Sequence, residues 1–356
     1  MRFVFMLCVL VIAVAVVPLQ AKEASAEHGV VVLQYHHIGD DTPRVTSVTA
    51  AELEAHFEYL KEHDYRVVSL AQADEIVQSG EVPDKLVAIT FDDGWRNIYA
   101  NGLELFKRYR YPFTIFVNPK LMAETPQLYM TWAQLQELEQ YGASIANHSN
   151  NHEHMTWRRV DESEAEWLAR QEQDILAAQQ ALEQGMGSKQ PRHFAYPYGE
   201  YNPSLAKLLE EHEFLAFGQH SGTWGKYSLR TQVPRFPASA QYANLKTLAT
   251  KIASLALPVV KVTPENMVLS KATDSLTVSF EVKHKDDYRP TQMNCFYQGK
   301  QLQPQWQNVT ARLTLTDIPI GRSRVNCTVP SLSQSGRFYW YSVPLVRPNE
   351  QGRWPD

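Results

Sequence analysis

A chain of 356 residues is longer than the usual single domain, so one large unit plus a smaller one is expected. A hydrophobic content of 44% beside 21% charged residues excludes a disordered chain. A formal net charge of −5 argues against nucleic acid as a partner, since such proteins carry a basic excess.

The first residues, "MRFVFMLCVLVIAVAVVPLQA", place Arg2 ahead of an apolar run and then small residues. That order predicts a secretory signal peptide within 1–26, cleaved after Ala21 or after Ala26. The chain is therefore expected to be exported, periplasmic or secreted, with no membrane span in its mature part. Cys295 and Cys327 then remain, and in an oxidising compartment such a pair is expected to bridge.

From residue 29 onward strand-like and helix-like stretches alternate. "GVVVLQYHH" (29–37) reads as a strand; "TAAELEAHFEYLKEHDY" (49–65) reads as a helix with Leu53, Phe57 and Leu60 on one face and Thr49 as N-cap. "RVVSL" (66–70) and "LVAITF" (86–91) are strands, and a helix follows through "IYANGLELFKRYR" (98–110). Next come the strand "PFTIFVN" (112–118), a helix from Trp132 that stops at Gly142, and the strand "ASIANH" (143–148). The longest helix covers 161–185; "RHFAYPYG" (192–199) holds a short strand, "PSLAKLLEEH" (203–212) a helix and "EFLAFGQ" (213–219) a strand. Such alternation implies parallel strands with helical crossovers, and its length favours a (β/α) barrel over a small open sheet. This first unit is expected to span 27–257. Residues 258–356 instead show short β-rich runs without a helical period, expected to form a small all-β sandwich of immunoglobulin-like type.

Chemistry-bearing residues sit where predicted strands end, which is where parallel barrels carry functional groups. The first strand ends in His36 and His37, "LVAITF" runs into Asp92-Asp93-Gly94, and "ASIANH" into His148, Ser149 and His152. Pro197-Tyr198-Gly199 follows a later strand, and His220 the last. Each fragment alone has a plainer reading as a turn or a pair of surface histidines; together and in this order they converge. His148 and His152, four apart, can face one ion, and two imidazoles with a carboxylate form a divalent-metal site open to water. Adjacent aspartates point apart, so one can complete that site while the other stays unligated as a base.

"TFDDG" (90–94), "HSNNH" (148–152) and "RHFAYPYG" (192–199) resemble the first three motifs of the NodB-type polysaccharide deacetylases, carbohydrate esterase family 4. "VVLQYHHI" and "FAYPYG" look most like the exported branch that includes poly-N-acetylglucosamine deacetylases. The resemblance covers roughly residues 29–240 and implies a distorted (β/α) barrel with metal-dependent hydrolysis of acetamide groups on an N-acetylated polysaccharide. It implies Asp93, His148 and His152 as ligands of a divalent metal, zinc or else cobalt or nickel. It further implies Asp92 as general base toward the attacking water, the backbone N–H of Tyr198 as oxyanion donor, and Ser149 as a brace of the histidine loop. The chain departs from the family pattern at Ala195, where many members carry an arginine that orients the catalytic aspartate; whether Arg192 takes that place is left open. The late motif that supplies a histidine acid is not recognisable, and His220 is the candidate acid. "RFYWYS" (337–342) is expected to pack in a core rather than to bind sugar. The alternatives are an O-acetyl carbohydrate esterase and a catalytically silent glycan-binding protein.

Overall fold

The computed structural model describes residues 26–283 and 286–355. The expected signal peptide lies outside the described residues except for Ala26. Among the described residues no helix is long and apolar enough to cross a membrane.

The strands of the first half, in chain order, begin with β1 (Val30–Tyr35) and a short pair, β2 (His37–Ile38) and β3 (Ser47–Val48). They continue with β4 (Arg66–Val67), β5 (Leu86–Phe91), β6 (Phe113–Val117), β7 (Ala143–Asn147), β8 (His193–Ala195), β9 (Leu215–Phe217) and β10 (Phe236–Pro237). Apart from β2 and β3 these form one parallel sheet in the order β10-β1-β5-β6-β7-β8-β9, with β4 beside β5. Every residue of β1 and β5 is buried, as expected of parallel strands covered on both faces. The sheet curls into a distorted barrel. Residues 230–237 bridge its seam: Val233 pairs with Phe217 beside β9, while Phe236 and Pro237 pair with Leu33 and Gln34 of β1.

Helices cover the outside. Helix α1 (Ala50–Glu62) has Thr49 as its N-cap, as expected, and Thr49 and Glu52 form a reciprocal capping box. The stretch expected as the strand 66–70 is split: only Arg66–Val67 pair, and Ser69 caps a helix α2 (Leu70–Ser79) absent from the sequence reading. Its apolar face, Leu70, Ala73, Ile76 and Val77, packs on the sheet at helical spacing. Helix α3 (Arg96–Tyr109), the short α4 (Pro119–Glu124) and α5 (Trp132–Glu139) follow. The long helix α6 (Glu164–Met186) runs past Gly185 to a left-handed cap at Gly187. Gly185 is instead a close-approach position, because a Cβ there would meet the Trp132 ring at 2.3 Å. Helices α7 (Pro203–Glu211) and α8 (Leu245–Ile252) complete this half.

The remaining strands are β11 (Leu255–Ala256), β12 (Val259–Thr263), β13 (Leu276–Val282), β14 (Asn294–Tyr297) and β15 (Lys300–Leu302), then β16 (Gln305–Gln307), β17 (Thr310–Leu315), β18 (Gly321–Pro330) and β19 (Phe338–Arg347). They make two sheets, β11-β19-β18-β14-β15 and β12-β13-β17-β16, with one shared apolar core that includes Phe280, Leu313, Val325 and Tyr339. The sandwich is as expected, with one difference from the immunoglobulin pattern. Cys295 and Cys327 are bridged, but they face each other on neighbouring strands β14 and β18 of one sheet rather than across the two sheets. The division expected at Leu257 falls one residue after β11, which already pairs with β19. The halves therefore meet without a linker. Of "RFYWYS", Tyr339 enters the sandwich core, whereas Trp340 packs edge-on against Phe236 of the barrel at 5.2 Å.

The disulfide closes a loop with a sequence separation of 32 residues. In the chain-entropy model such a loop stabilises by about 3–4 kcal/mol. Unfolding in urea should show the paired Cys295→Ser, Cys327→Ser variant less stable by about that amount; an unchanged midpoint would contradict it.

Candidate functional site

The aspartates follow β5 directly. Asp92 continues the strand, its N–H donating to the Tyr35 carbonyl at 2.9 Å, and its carboxylate has no exposed surface. Arg235, equally buried, holds it with two bonds: Nη1 donates to Oδ1 at 2.6 Å and Nη2 to Oδ2 at 2.8 Å. Gln34 Nε2 donates to Oδ2 at 2.8 Å, and His36 Nε2 stands 3.8 Å from the same oxygen. Burial alone would raise the Asp92 pKa, but Arg235, His148 and His36 bring it below the usual carboxylate value. Arg235 is itself fixed, Nε donating to the Gly218 carbonyl at 2.9 Å and Nη1 to Thr90 Oγ1 at 3.2 Å.

Asp93 turns the other way because the strand ends on it. Its φ is +72° and that of Gly94 +74°. A Cβ at Gly94 would lie 2.7 Å from Val117 Cγ1, so the tight turn requires glycine. Asp93 Oδ1 lies 3.3 Å from His148 Nε2 and 3.2 Å from His152 Nε2, while Trp95 Nε1 donates to Oδ2 at 2.7 Å. Burial opposes ionisation of Asp93, yet the two histidines hold its pKa well below the ordinary range.

The histidine loop leaves β7. His148 Nδ1 donates to the Ala195 carbonyl at 2.7 Å, and Ser149 Oγ accepts from the His152 N–H at 2.9 Å. Asn118 Nδ2 donates to the carbonyls of His148 and Ser149. Ser149 and His152 both have positive φ, +63° and +52°, as does Tyr198 at +59° after β8. Non-glycine residues in this region carry strain, which persists where the surroundings hold it and gathers at functional sites.

The ligand atoms of Asp93, His148 and His152 all lie within 4.8 Å of one another. Since Nδ1 of His148 carries the proton given to Ala195, a neutral ring presents a lone pair at Nε2, a buried atom without a hydrogen-bond partner. That lone pair faces another on Asp93 Oδ1, and two acceptors so close require a positive charge between them. Without an ion a proton takes that role: burial would lower the His148 pKa, but Asp93 and Asp92 raise it. Ligands about 2.0–2.1 Å from a tetrahedral zinc are about 3.3 Å apart, close to the two Asp93–His separations. The donor set fits a divalent cation.

Several residues lie elsewhere than the sequence suggests. Arg192 donates to the His212 carbonyl at 3.1 Å and lies over Phe214, so it does not replace the arginine missing at Ala195. Arg235 holds Asp92 instead, from within "VPRFPAS", and sequence reasoning missed it. His220 is not brought to the Asp93 cluster: it is buried and lines a cavity of about 130 Å³ along the seam with the sandwich, beside Tyr201 and Trp340. Burial, Arg324 and Arg235 push its pKa down to about 4, so it holds no proton to donate at neutral pH. Trp95 was also missed, although it directly follows the Asp-Asp-Gly turn.

Residues 79–217 match the family profile "Polysaccharide deacetylase". That stretch is a polysaccharide deacetylase domain of the NodB type. Among curated proteins, YxkH of Bacillus subtilis (strain 168), provisionally named a polysaccharide deacetylase, is 29% identical over 182 residues, 51% of this chain and 60% of its own length. The poly-beta-1,6-N-acetyl-D-glucosamine N-deacetylase of Escherichia coli (strain K12) is 24% identical over 271 residues, 66% of this chain and 40% of its own. The chain thus spans less than two thirds of either relative. The solved structure of IcaB from Ammonifex degensii shares the deacetylase fold, with a TM-score of 0.55 and 23% identity over 64% of this chain and 98% of that one.

Inside the barrel the Asp92–Arg235 pair sets a pH dependence. Asp92 is held below its ordinary value, so its stabilising contribution is complete above about pH 4 and is lost as pH falls through the depressed folded value. Arg235→Met leaves a buried carboxylate without its cation and should cost about 3–5 kcal/mol. Urea unfolding across pH should show that loss above pH 5, and acid destabilisation of the variant should set in at higher pH than in the parent. Curves that coincide would contradict it.

Proposed function

We propose that this chain is an exported, metal-dependent N-deacetylase that hydrolyses acetamide groups on an N-acetylhexosamine polymer. The observation that carries the reading is the lone-pair confrontation of Asp93 with His148, with His152 Nε2 3.2 Å from the same oxygen and an ionised Asp92 alongside. The name of the Escherichia coli relative supports poly-N-acetylglucosamine as the polymer. The Cys295–Cys327 bridge supports an oxidising compartment.

In this reading Asp93, His148 and His152 hold the ion, zinc or else cobalt or nickel. When bound, a divalent cation supplies Lewis acidity, making water more acidic and polarising the acetamide carbonyl. Asp92 takes the proton from the water that attacks the carbonyl carbon. Arg235 keeps that carboxylate ionised and aims it, and Gln34 fixes one oxygen. The Tyr198 N–H donates to the oxygen that becomes negative, a kind of contact often worth ~3–4 kcal/mol in the transition state. The C–N bond then breaks, the nitrogen needs a proton, and acetate and a free amine result. His36, whose Nε2 lies 3.8 Å from Asp92 Oδ2, is the group placed to supply that proton. His220, held below its ordinary pKa by burial and lining a cavity beside the sandwich, is the weaker candidate for this role.

The test is acetate release from N-acetylglucosamine oligomers, poly-N-acetylglucosamine and peptidoglycan, by protein stripped of metal and then reloaded with zinc, cobalt or nickel. Release should require metal, fall by at least about 10²-fold in Asp92→Asn and in His36→Gln, and vanish in His148→Ala. Release only from O-acetyl esters would replace the amide reading. Binding of glycan with no release from any substrate would make the protein a silent binder.

A further inference from the structure

Glu200 lies two residues past Tyr198 and has no accessible surface. The groups that bind it come from distant parts of the chain. His154 Nδ1 is 2.8 Å from Oε2; Trp354 Nε1 donates to Oε1 at 2.6 Å, and Arg322 Nη1 to the same oxygen at 3.2 Å. His154 sits on the loop just after His152. Arg322 is the second residue of β18 in the sandwich, and Trp354 belongs to the tail that follows β19.

His154 carries this grip to the candidate site. Its ring lies flat on Tyr198, with centroids 4.0 Å apart and planes within 8°, and flat on Trp157 at 3.8 Å and 12°. Trp354 meets Trp157 edge-on at 5.5 Å and 82°. The Arg322 guanidinium stands 5.3 Å from the centre of the Tyr198 ring, and the His152 ring lies 4.8 Å from it on another side. Tyr198 and Gly199 are consecutive left-handed residues, and only the second is a glycine. Left-handed tyrosine is disfavoured and needs surroundings that over-determine it. Here they do so partly from another sheet system.

We infer that Arg322 and Trp354 are positioning residues for the hydrolysis: through Glu200 and His154 they hold Tyr198 in the left-handed conformation that aims its N–H at the oxyanion. The sandwich is then a wall of the catalytic unit rather than a separate sugar-binding module. The inference rests on the reading of Tyr198 as oxyanion donor. The bland alternative is that these contacts only fasten the two halves together, in which case loosening them lowers stability and leaves the turnover of folded protein unchanged.

Trp354→Phe separates the two, since it keeps an aromatic ring and removes the N–H that binds Glu200. In full-length, metal-free protein, hydrogen exchange over residues 194–202 should quicken at least about tenfold, with β5 and β6 unaffected. In metal-loaded protein kcat should fall about tenfold or more, within the hundredfold that a small misplacement can cost, while KM stays within about twofold and metal content is unchanged. Arg322→Met should behave likewise and Arg322→Lys should recover most of the turnover; this pair carries the comparison if Trp354→Phe does not fold. Unchanged exchange at 194–202, or unchanged kcat in variants with a lower melting temperature, would overturn the inference. If the parent releases no acetate from any substrate, the deacetylase reading fails on its own, and an unchanged exchange rate still overturns the Glu200 grip while a quickened one upholds it.

Discussion

Arg235 and Asp92 meet inside the barrel with neither exposed, and much of the site's geometry depends on that contact. A carboxylate and a guanidinium taken out of water lose several kcal/mol of hydration each, which only good geometry offsets. Here the pair is bidentate, Gln34 adds a donor, and two further guanidinium N–H groups reach Gly218 and Thr90. Arg235 also belongs to the segment 230–237 that bridges the barrel seam between β9 and β1. Closing the barrel and orienting Asp92 are therefore one event: the backbone that seals the gap brings the cation that lets a carboxylate be buried.

The neighbouring aspartate obeys a different constraint. Asp92 directly follows the strand and prolongs its ladder through the bond to Tyr35, whereas Asp93 leaves it through a left-handed turn that Gly94 completes against Val117. Asp93, Ser149, His152 and Tyr198 all have positive φ, and all line the same end of the barrel. That concentration of disfavoured backbone is tolerated because hydrogen bonds from Asn118 and to Ser149, and stacking on Tyr198, fix each turn from outside. The fold thus divides two adjacent carboxylates into one that faces a cation of the protein and one that faces a pair of imidazoles.

The parallel barrel and its chemistry were readable because both have short-range signatures. Apolar runs that end in "DDG", "HSNNH" and "YPYG" mark strand ends locally, and the capping pair Thr49–Glu52 marks a helix start within four residues. Arg235 was not readable because its partner lies 143 residues away and nothing in "VPRFPAS" distinguishes an arginine that enters the barrel from one that faces water. His220 has the local form of a site residue, a histidine after a strand, but the fold places it in a cavity beside the sandwich with Tyr201 and Trp340. Helix α2 escaped because its first residue, Leu70, closes the apolar run "RVVSL", which reads locally as a strand. The Glu200 cluster joins Glu200 to Trp354, 154 positions away, a separation at which sequence pattern carries no signal.

The division of labour between Asp92 and Asp93 is tested most directly by metal content. Full-length protein, Asp92→Asn and Asp93→Asn should each be dialysed against zinc, freed of excess, and analysed for bound metal per chain by elemental mass spectrometry. The account predicts one ion in the parent and in Asp92→Asn, and loss of that ion in Asp93→Asn. Retention in Asp93→Asn with loss in Asp92→Asn would contradict it, because the carboxylate paired with Arg235 would then be the ligand.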